Sequence, residues 1–116
     1  MQGIHPDLRR LADKALELSS IDFGVSEGLR SMERQRHLVD IGASHTLSSR
    51  HLTGHAIDVF PWVDGDVRWD WPLFYEIREG FVRANMATDI PFVWGGSWSS
   101  FPDGPHFELS RRIYRA

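Results

Sequence analysis

The segment Ser49-Arg50-His51-Leu52-Thr53-Gly54-His55-Ala56-Ile57-Asp58 sets two histidines in a stretch with no regular period and an aspartate in the β-rich run that follows. Further along, Asp103-Gly104-Pro105-His106-Phe107-Glu108 brings a third histidine to the start of another short β-rich run. If the two runs are neighbouring strands, His51, Asp58 and His106 converge on one point. Two imidazoles and one carboxylate with a vacant fourth position form the donor set of a catalytic zinc ion, which keeps a water and lowers its pKa to about 7. A structural zinc would close that position. His55 competes as a ligand, because His51 and His55 are four apart and would share a face on a helix; Thr53, Gly54 and the β-branched residues downstream disfavour a helix and favour Asp58. The plainer alternative is that these are ordinary polar positions on a loop and a strand end.

The elements that must position these residues are legible from periodicity and punctuation. Ile4, Leu8, Leu11, Ala12, Ala15 and Leu16 recur at helical spacing, and Pro6 suits a first turn, so the pattern predicts a helix over 6–18. Residues 21–26, IDFGVS, alternate as a strand; Ser31 then serves as the N-cap of a helix over 32–41, ended by Gly42. Residues 43–55 read as a long ordered loop, and AIDVFPWV over 56–63 as a strand followed by a turn at Asp64-Gly65-Asp66. Asp70-Trp71-Pro72 starts a helix over 71–87, with Leu73, Phe74, Ile77, Phe81, Val82 and Met86 as its apolar stripe. Short strands are expected at 91–94 and 106–109, separated by GGSWSSFPDGP. Three helices and a small, mainly antiparallel sheet make an α+β fold with the metal site on the sheet.

Composition narrows the function classes. A chain of 116 residues is expected to form a single domain over 1–116. With 13 Lys plus Arg against 16 Asp plus Glu, the net charge of −3 argues against nucleic acid as a partner, which calls for a basic face. The absence of cysteine excludes disulfides, thiolate nucleophiles and cysteine-based zinc fingers, so a metal must sit on His, Asp or Glu. The single lysine, Lys14, follows no GxxxxG stretch, which excludes a P-loop. No apolar run approaches the roughly 20 residues of a membrane span, and MQGIHPDLRR lacks the layout of a secretory signal.

Three ordered motifs resemble one known family. SxHxxGxAxD is present as Ser49, His51, Gly54, Ala56 and Asp58; DxPH as Asp103, Pro105 and His106; and EGLRSMERQ over 27–35 is similar to an ExxR[ST]xxxQ segment. This pattern, running from Glu27 to Glu108, resembles the zinc D-Ala-D-Ala carboxypeptidases and L-alanyl-D-glutamate endopeptidases, in particular the small peptidases used as phage endolysins. The resemblance implies that His51, Asp58 and His106 bind Zn2+, that Asp103 is the catalytic acid/base where other branches carry Glu, and that Arg30 stabilises the developing oxyanion. Chemistry is consistent with each role: a carboxyl near the metal can carry a proton from water to the leaving amine, and a permanently charged guanidinium stabilises an anionic oxygen. For Arg30 the plainer alternative is an ion pair with Glu27 or Glu33.

The resemblance further implies cleavage of the peptidoglycan stem peptide, at the L-Ala-D-Glu bond, by a phage or prophage lysis enzyme. Such an enzyme would reside in the host cytoplasm before lysis, without a signal peptide or membrane insertion, and is expected to be a monomer. The alternatives are a D-Ala-D-Ala dipeptidase or carboxypeptidase and a non-catalytic wall-binding module. Ser49 either contacts substrate or holds the loop, and Gly54 permits a turn bringing His51 and Asp58 together. Glu108 is either a partner of a metal-bound imidazole or an exposed strand residue. Trp94 and Trp98, flanking Gly95-Gly96, are candidate cleft walls, whereas Trp62, Trp69 and Trp71 are expected to fill the core. His5, His37 and His45 are expected at the surface.

Overall fold

The computed structural model describes residues 3–44 and 46–115, so His45 lies outside the described residues. The order is α1 (Pro6–Leu18), β1 (Asp22–Glu27), α2 (Met32–Asp40), β2 (Ala56–Val63), β3 (Asp66–Val67), α3 (Trp71–Thr88), β4 (Phe92–Trp94) and β5 (His106–Leu109), with 3-10 turns at Arg50–Thr53 and Gly95–Ser97. The expected α+β architecture is thus present, each predicted helix and strand falling within a residue or so of its expected bounds. The loop over 43–55 differs from expectation in one respect. Its Arg50–Thr53 segment closes into a 3-10 turn because Ser49 Oγ accepts the His51 N–H at 3.2 Å and starts it, and Gly54, in the left-handed region at φ 75°, ends it.

Local capping explains where the helices begin. His5 Nδ1 accepts the Asp7 N–H at 3.0 Å and Pro6 occupies the first turn of α1; Ser31 Oγ accepts the Arg34 N–H at 3.0 Å at the start of α2. The strand path is β1-β2-β5-β4, entirely antiparallel, with β3 also paired to β2. Helices α1 and α3 pack together on one side of this sheet. Leu8, Leu11, Ala12 and Ala15 of α1 and Phe74, Ile77, Phe81 and Ala84 of α3 meet Phe23, Ile57, Val59, Phe107 and Leu109 in one buried cluster, where the rings of Phe81 and Phe107 stack at 4.0 Å.

Strand alternation assigns the two faces different work. Ile57 and Val59 of β2 and Phe107 and Leu109 of β5 point into the core, so Asp58, His106 and Glu108 must point to the other side. The β2–β5 register sets Asp58 opposite His106.

The tryptophans correct an expectation. Only Trp94 is buried in the core; Trp62, Trp69 and Trp71 are 44%, 59% and 44% exposed. They sit on the β2–β3 hairpin and the entry to α3, where Trp69 lies 6.3 Å from Phe74 and Trp71 6.2 Å from Tyr75, because the smaller aliphatic and phenylalanine side chains already fill the helix–sheet interface. His37 is exposed as expected, while His5 is half-buried as the cap of α1.

Gly54 is fixed twice over. Its φ of 75° disfavours any side chain, and a Cβ there would run into the carbonyl oxygen of Gly3. Gly54→Ala is therefore expected to destabilise the fold by about 2 kcal/mol or more, measured by urea denaturation. A variant as stable as the parent would show that the turn between His51 and Asp58 is not so constrained.

Candidate active site and metal centre

His51, Asp58 and His106 come together across three elements. The 3-10 turn supplies His51, β2 supplies Asp58 and β5 supplies His106, and one ligand atom from each lies within 4.8 Å of the others. Asp58 Oδ1 is 3.3 Å from His51 Nε2 and 3.5 Å from His106 Nδ1. A tetrahedral ion with bonds of about 2.0–2.1 Å needs its ligand atoms about 3.3–3.4 Å apart. These two separations lie close to that edge length and all three ligand atoms stay within 4.8 Å of one another, so a metal fits this donor set.

The far side of each imidazole is also committed. His51 Nδ1 donates to the carbonyl of Gly28 at 2.9 Å, and His106 Nε2 donates to Glu108 Oε1 at 2.9 Å. With the outer nitrogen donating away from the site, the inner one is turned to Asp58, and it offers a metal its lone pair once it has given up its proton. The carbonyl of His51 in turn accepts the Arg30 N–H at 2.9 Å, so residues 28–30 grip His51 at both backbone and ring. His55 takes no part: its Nδ1 faces the Thr53 carbonyl and hydroxyl, and its ring lies 5.2 Å from His5.

A pocket of about 460 Å³ opens over the triad, lined in part by Arg30, Ser44, Ser49, Trp98, Phe101 and Asp103. Asp103 is placed by its N–H, which donates to Gly95 O at 2.9 Å, and by its carbonyl, which accepts the His106 N–H at 3.2 Å. A Cβ on Gly95 would approach the Asp103 carbonyl oxygen to 2.6 Å, so only glycine allows the loop to close there. Burial, then the charge of Asp58, raises the Asp103 carboxyl above the ordinary aspartate range. Trp98 lines the pocket with its ring 5.0 Å from that of His106, as expected of a cleft wall. Trp94 does not line it. Its indole is buried and donates from Nε1 to the Gly104 carbonyl at 2.7 Å, supporting the Asp103 loop from behind.

Arg30 is more deeply held than a surface ion pair. Nε and Nη2 donate to the two Glu27 oxygens at 2.8 and 2.9 Å, Nη1 to Gln35 Oε1 at 2.7 Å, and Nη2 to Asp58 Oδ2 at 3.5 Å. Glu33, the other partner considered, is exposed. The Arg30 hydrogen bonds, with smaller contributions from the charges of His51 and Arg34, hold the Glu27 carboxyl below its ordinary value despite its burial. Gln35, fully buried, also donates from Nε2 to Ser44 Oγ at 2.9 Å and to the Thr46 carbonyl, tying the loop wall to Arg30. Sequence reasoning quoted Gln35 only as part of a motif. Its signal is a lone amide on a helix whose other polar side chains are all exposed.

Comparison with known proteins follows this geometry. A model for the phage L-alanyl-D-glutamate peptidases matches residues 1–114. The chain belongs to that family. Relatives include the L-alanyl-D-glutamate peptidase of Escherichia phage T5, 31% identical over 96% of this chain and 83% of its own length. The namesake of Listeria phage A118 is 34% identical over 91% of this chain but only 36% of its own length. The L-Ala D-Glu endopeptidase ChiX of Serratia marcescens superposes with a TM-score of 0.94 at 50% identity, covering 99% of this chain and 86% of that one. The resemblance inferred from three motifs therefore extends along nearly the whole of this family member.

The charges of the triad would make metal uptake and stability without metal respond oppositely to pH. Burial works against a charged His106, but hydrogen bonds to Asp58 and Glu108 outweigh it and raise its pKa from 6.5 to about 9. Burial likewise works against a charged Asp58, and its bonds to His106 and His51 carry its pKa well below the ordinary value. A raised histidine pKa stabilises the metal-free fold fully below about 6.5, and that contribution fades as pH rises through about 9. A metal must displace the same proton from Nδ1. Chelated protein should accordingly lose melting temperature from about pH 6.5 to 9 while zinc affinity rises, and calorimetry near pH 7.5 in buffers of differing ionisation enthalpy should show release of about one proton per ion. Zinc uptake without proton release would contradict the charged state of His106.

Proposed function

We propose that this protein is a zinc-dependent endopeptidase that cleaves the peptide stem of bacterial peptidoglycan at the L-Ala-D-Glu bond, acting in host lysis as a phage-type endolysin. The single observation that carries the reading is two imidazole nitrogens and a carboxylate oxygen within 4.8 Å of one another, in a pocket shared with a half-buried carboxyl of raised pKa. The bond and the cell-wall setting are supported by the names of the relatives, among them a peptidoglycan L-alanyl-D-glutamate endopeptidase, CwlK, of Bacillus subtilis, 29% identical over 91% of this chain and 73% of its own. Two phage enzymes among them support the lysis role.

His51 Nε2, Asp58 and His106 Nδ1 hold the ion in this reading. Zinc, when bound, supplies Lewis-acid polarisation of a carbonyl and lowers the pKa of a water to about 7. Asp103 is the proton carrier: its raised pKa brings it nearer the working pH, where it can accept a proton from water and return it to the leaving amine. Arg30 has five N–H donors, of which four are spent on Glu27, Gln35 and Asp58. One remains on Nη1; Arg30 lines the pocket, where its charge can meet an anionic oxygen, and the same guanidinium steadies Asp58. Ser49 starts the turn that carries His51 and lines the pocket beside it, and Trp98 gives the stem peptide an apolar wall.

No helix among the described residues is long and apolar enough to cross a membrane. We take residues 1–116 as one catalytic domain working as a monomer.

Asp103→Asn should retain zinc and fold yet lose about 10²–10⁴-fold in kcat on purified sacculi; undiminished turnover would remove Asp103 from the chemistry, and a binding module would show no turnover in either form. Chelation should abolish hydrolysis, and added zinc restore it. Digested sacculi should yield new L-Ala carboxyl and D-Glu amino ends, whereas release of free D-Ala alone would assign the chain to the D-Ala-D-Ala peptidases.

A further inference from the structure

Glu108 has no part in the chemistry above, yet its carboxylate is buried at 4% exposure on the strand that carries His106. A carboxylate leaves water at a large cost unless charge and hydrogen bonds compensate it. The side chains directly opposite it offer nothing polar, being Ala56 on β2 and Val93 on β4. Its partners come from elsewhere. Oε1 accepts the His106 Nε2–H at 2.9 Å, and Oε2 lies 3.3 Å from Arg111 Nε and 3.8 Å from Arg50 Nε. Burial opposes the charged form, but the contacts with His106 and Arg111 outweigh it and hold its pKa below the ordinary value.

Arg50 is itself buried and anchored. Its Nη2 donates to the carbonyls of Leu109 at 3.1 Å and Tyr114 at 3.0 Å, and Tyr114 Oη donates to Asp7 at 2.7 Å, tying the C-terminal turn to the start of α1. Its Nε is a buried donor with no hydrogen-bond partner among the described residues, and it stands 3.8 Å from Glu108 Oε2. Because Arg50 directly precedes His51, one 3-10 turn delivers an imidazole to the metal side and a guanidinium to the carboxylate behind the other imidazole.

From this arrangement we infer that Glu108, braced by Arg50, is a positioning residue of the metal centre, holding His106 as its Nε2–H tautomer with Nδ1 turned toward Asp58. A ring restrained at only one edge can rotate or exchange tautomers; two contacts on opposite edges fix both. The inference rests on reading the triad as a zinc site.

Zinc affinity of the full chain, measured by competition with a chromophoric chelator and with circular dichroism to verify folding, tests it. Glu108→Ala should weaken zinc binding about 10–100-fold, and Glu108→Gln, whose amide oxygen can still accept from Nε2–H but carries no charge, by an intermediate factor. Affinities within about twofold of wild type in both variants, whatever the change in melting temperature, would reduce Glu108 to a structural ion pair and overturn the inference alone. Should the alanine variant not fold, the glutamine variant decides by the same threshold. Wild-type protein that takes up no zinc would overturn the metal reading and this inference together.

Discussion

A carboxylate pinned between two imidazoles is the contact around which the functional half of this molecule is organised. Asp58 reaches His106 because antiparallel pairing of β2 and β5 sets the two residues directly opposite, and it reaches His51 because a 3-10 turn ends at Gly54 and feeds straight into β2. In a site largely removed from water such charges interact more strongly than at a surface, so their separation must be enforced by covalent and hydrogen-bonded scaffolding. That scaffolding is the sheet, whose opposite face is clamped by α1 and α3.

Around the triad, polar groups are buried in connected sets. Glu27, Arg30, Gln35 and the backbone at Thr46 form one chain of contacts that begins at β1, passes through α2 and ends in the loop wall of the pocket. Asp58 joins it through Arg30. A network of this kind adds little net stability, because desolvation offsets most of the attraction, but it leaves each group one satisfactory arrangement. The ExxR[ST]xxxQ spacing acquires a physical meaning here: Glu27 and Gln35 grip opposite edges of the Arg30 guanidinium, and Ser31 starts the helix that carries Gln35.

Much of this was readable in the chain. Helix α1 follows from its apolar spacing and Pro6, and β5 from a short run of β-formers; the triad could be proposed from residue type, since no cysteine competes for a metal. What escaped sequence reasoning depends on distance along the chain. The Gly28 carbonyl that orients His51, the Arg50 guanidinium that meets Glu108, and the wall formed by Phe101 involve backbone atoms or partners that no local period encodes. Trp94 was misassigned because its neighbourhood of glycines resembles a cleft rim, while its indole N–H is satisfied by a carbonyl of the loop it supports. Trp62, Trp69 and Trp71 failed the other way, since size and apolarity do not say that a core is already full.

The four residues of β5 are all buried, with Phe107 and Leu109 facing the helices and His106 and Glu108 facing the triad. A slip of one residue along β2 would exchange those sets, driving a histidine and a carboxylate into hydrocarbon while stripping the other face of its donors. Misregistered forms are therefore penalised by oil and by charge at once, so the chain has no half-right frame in which to linger.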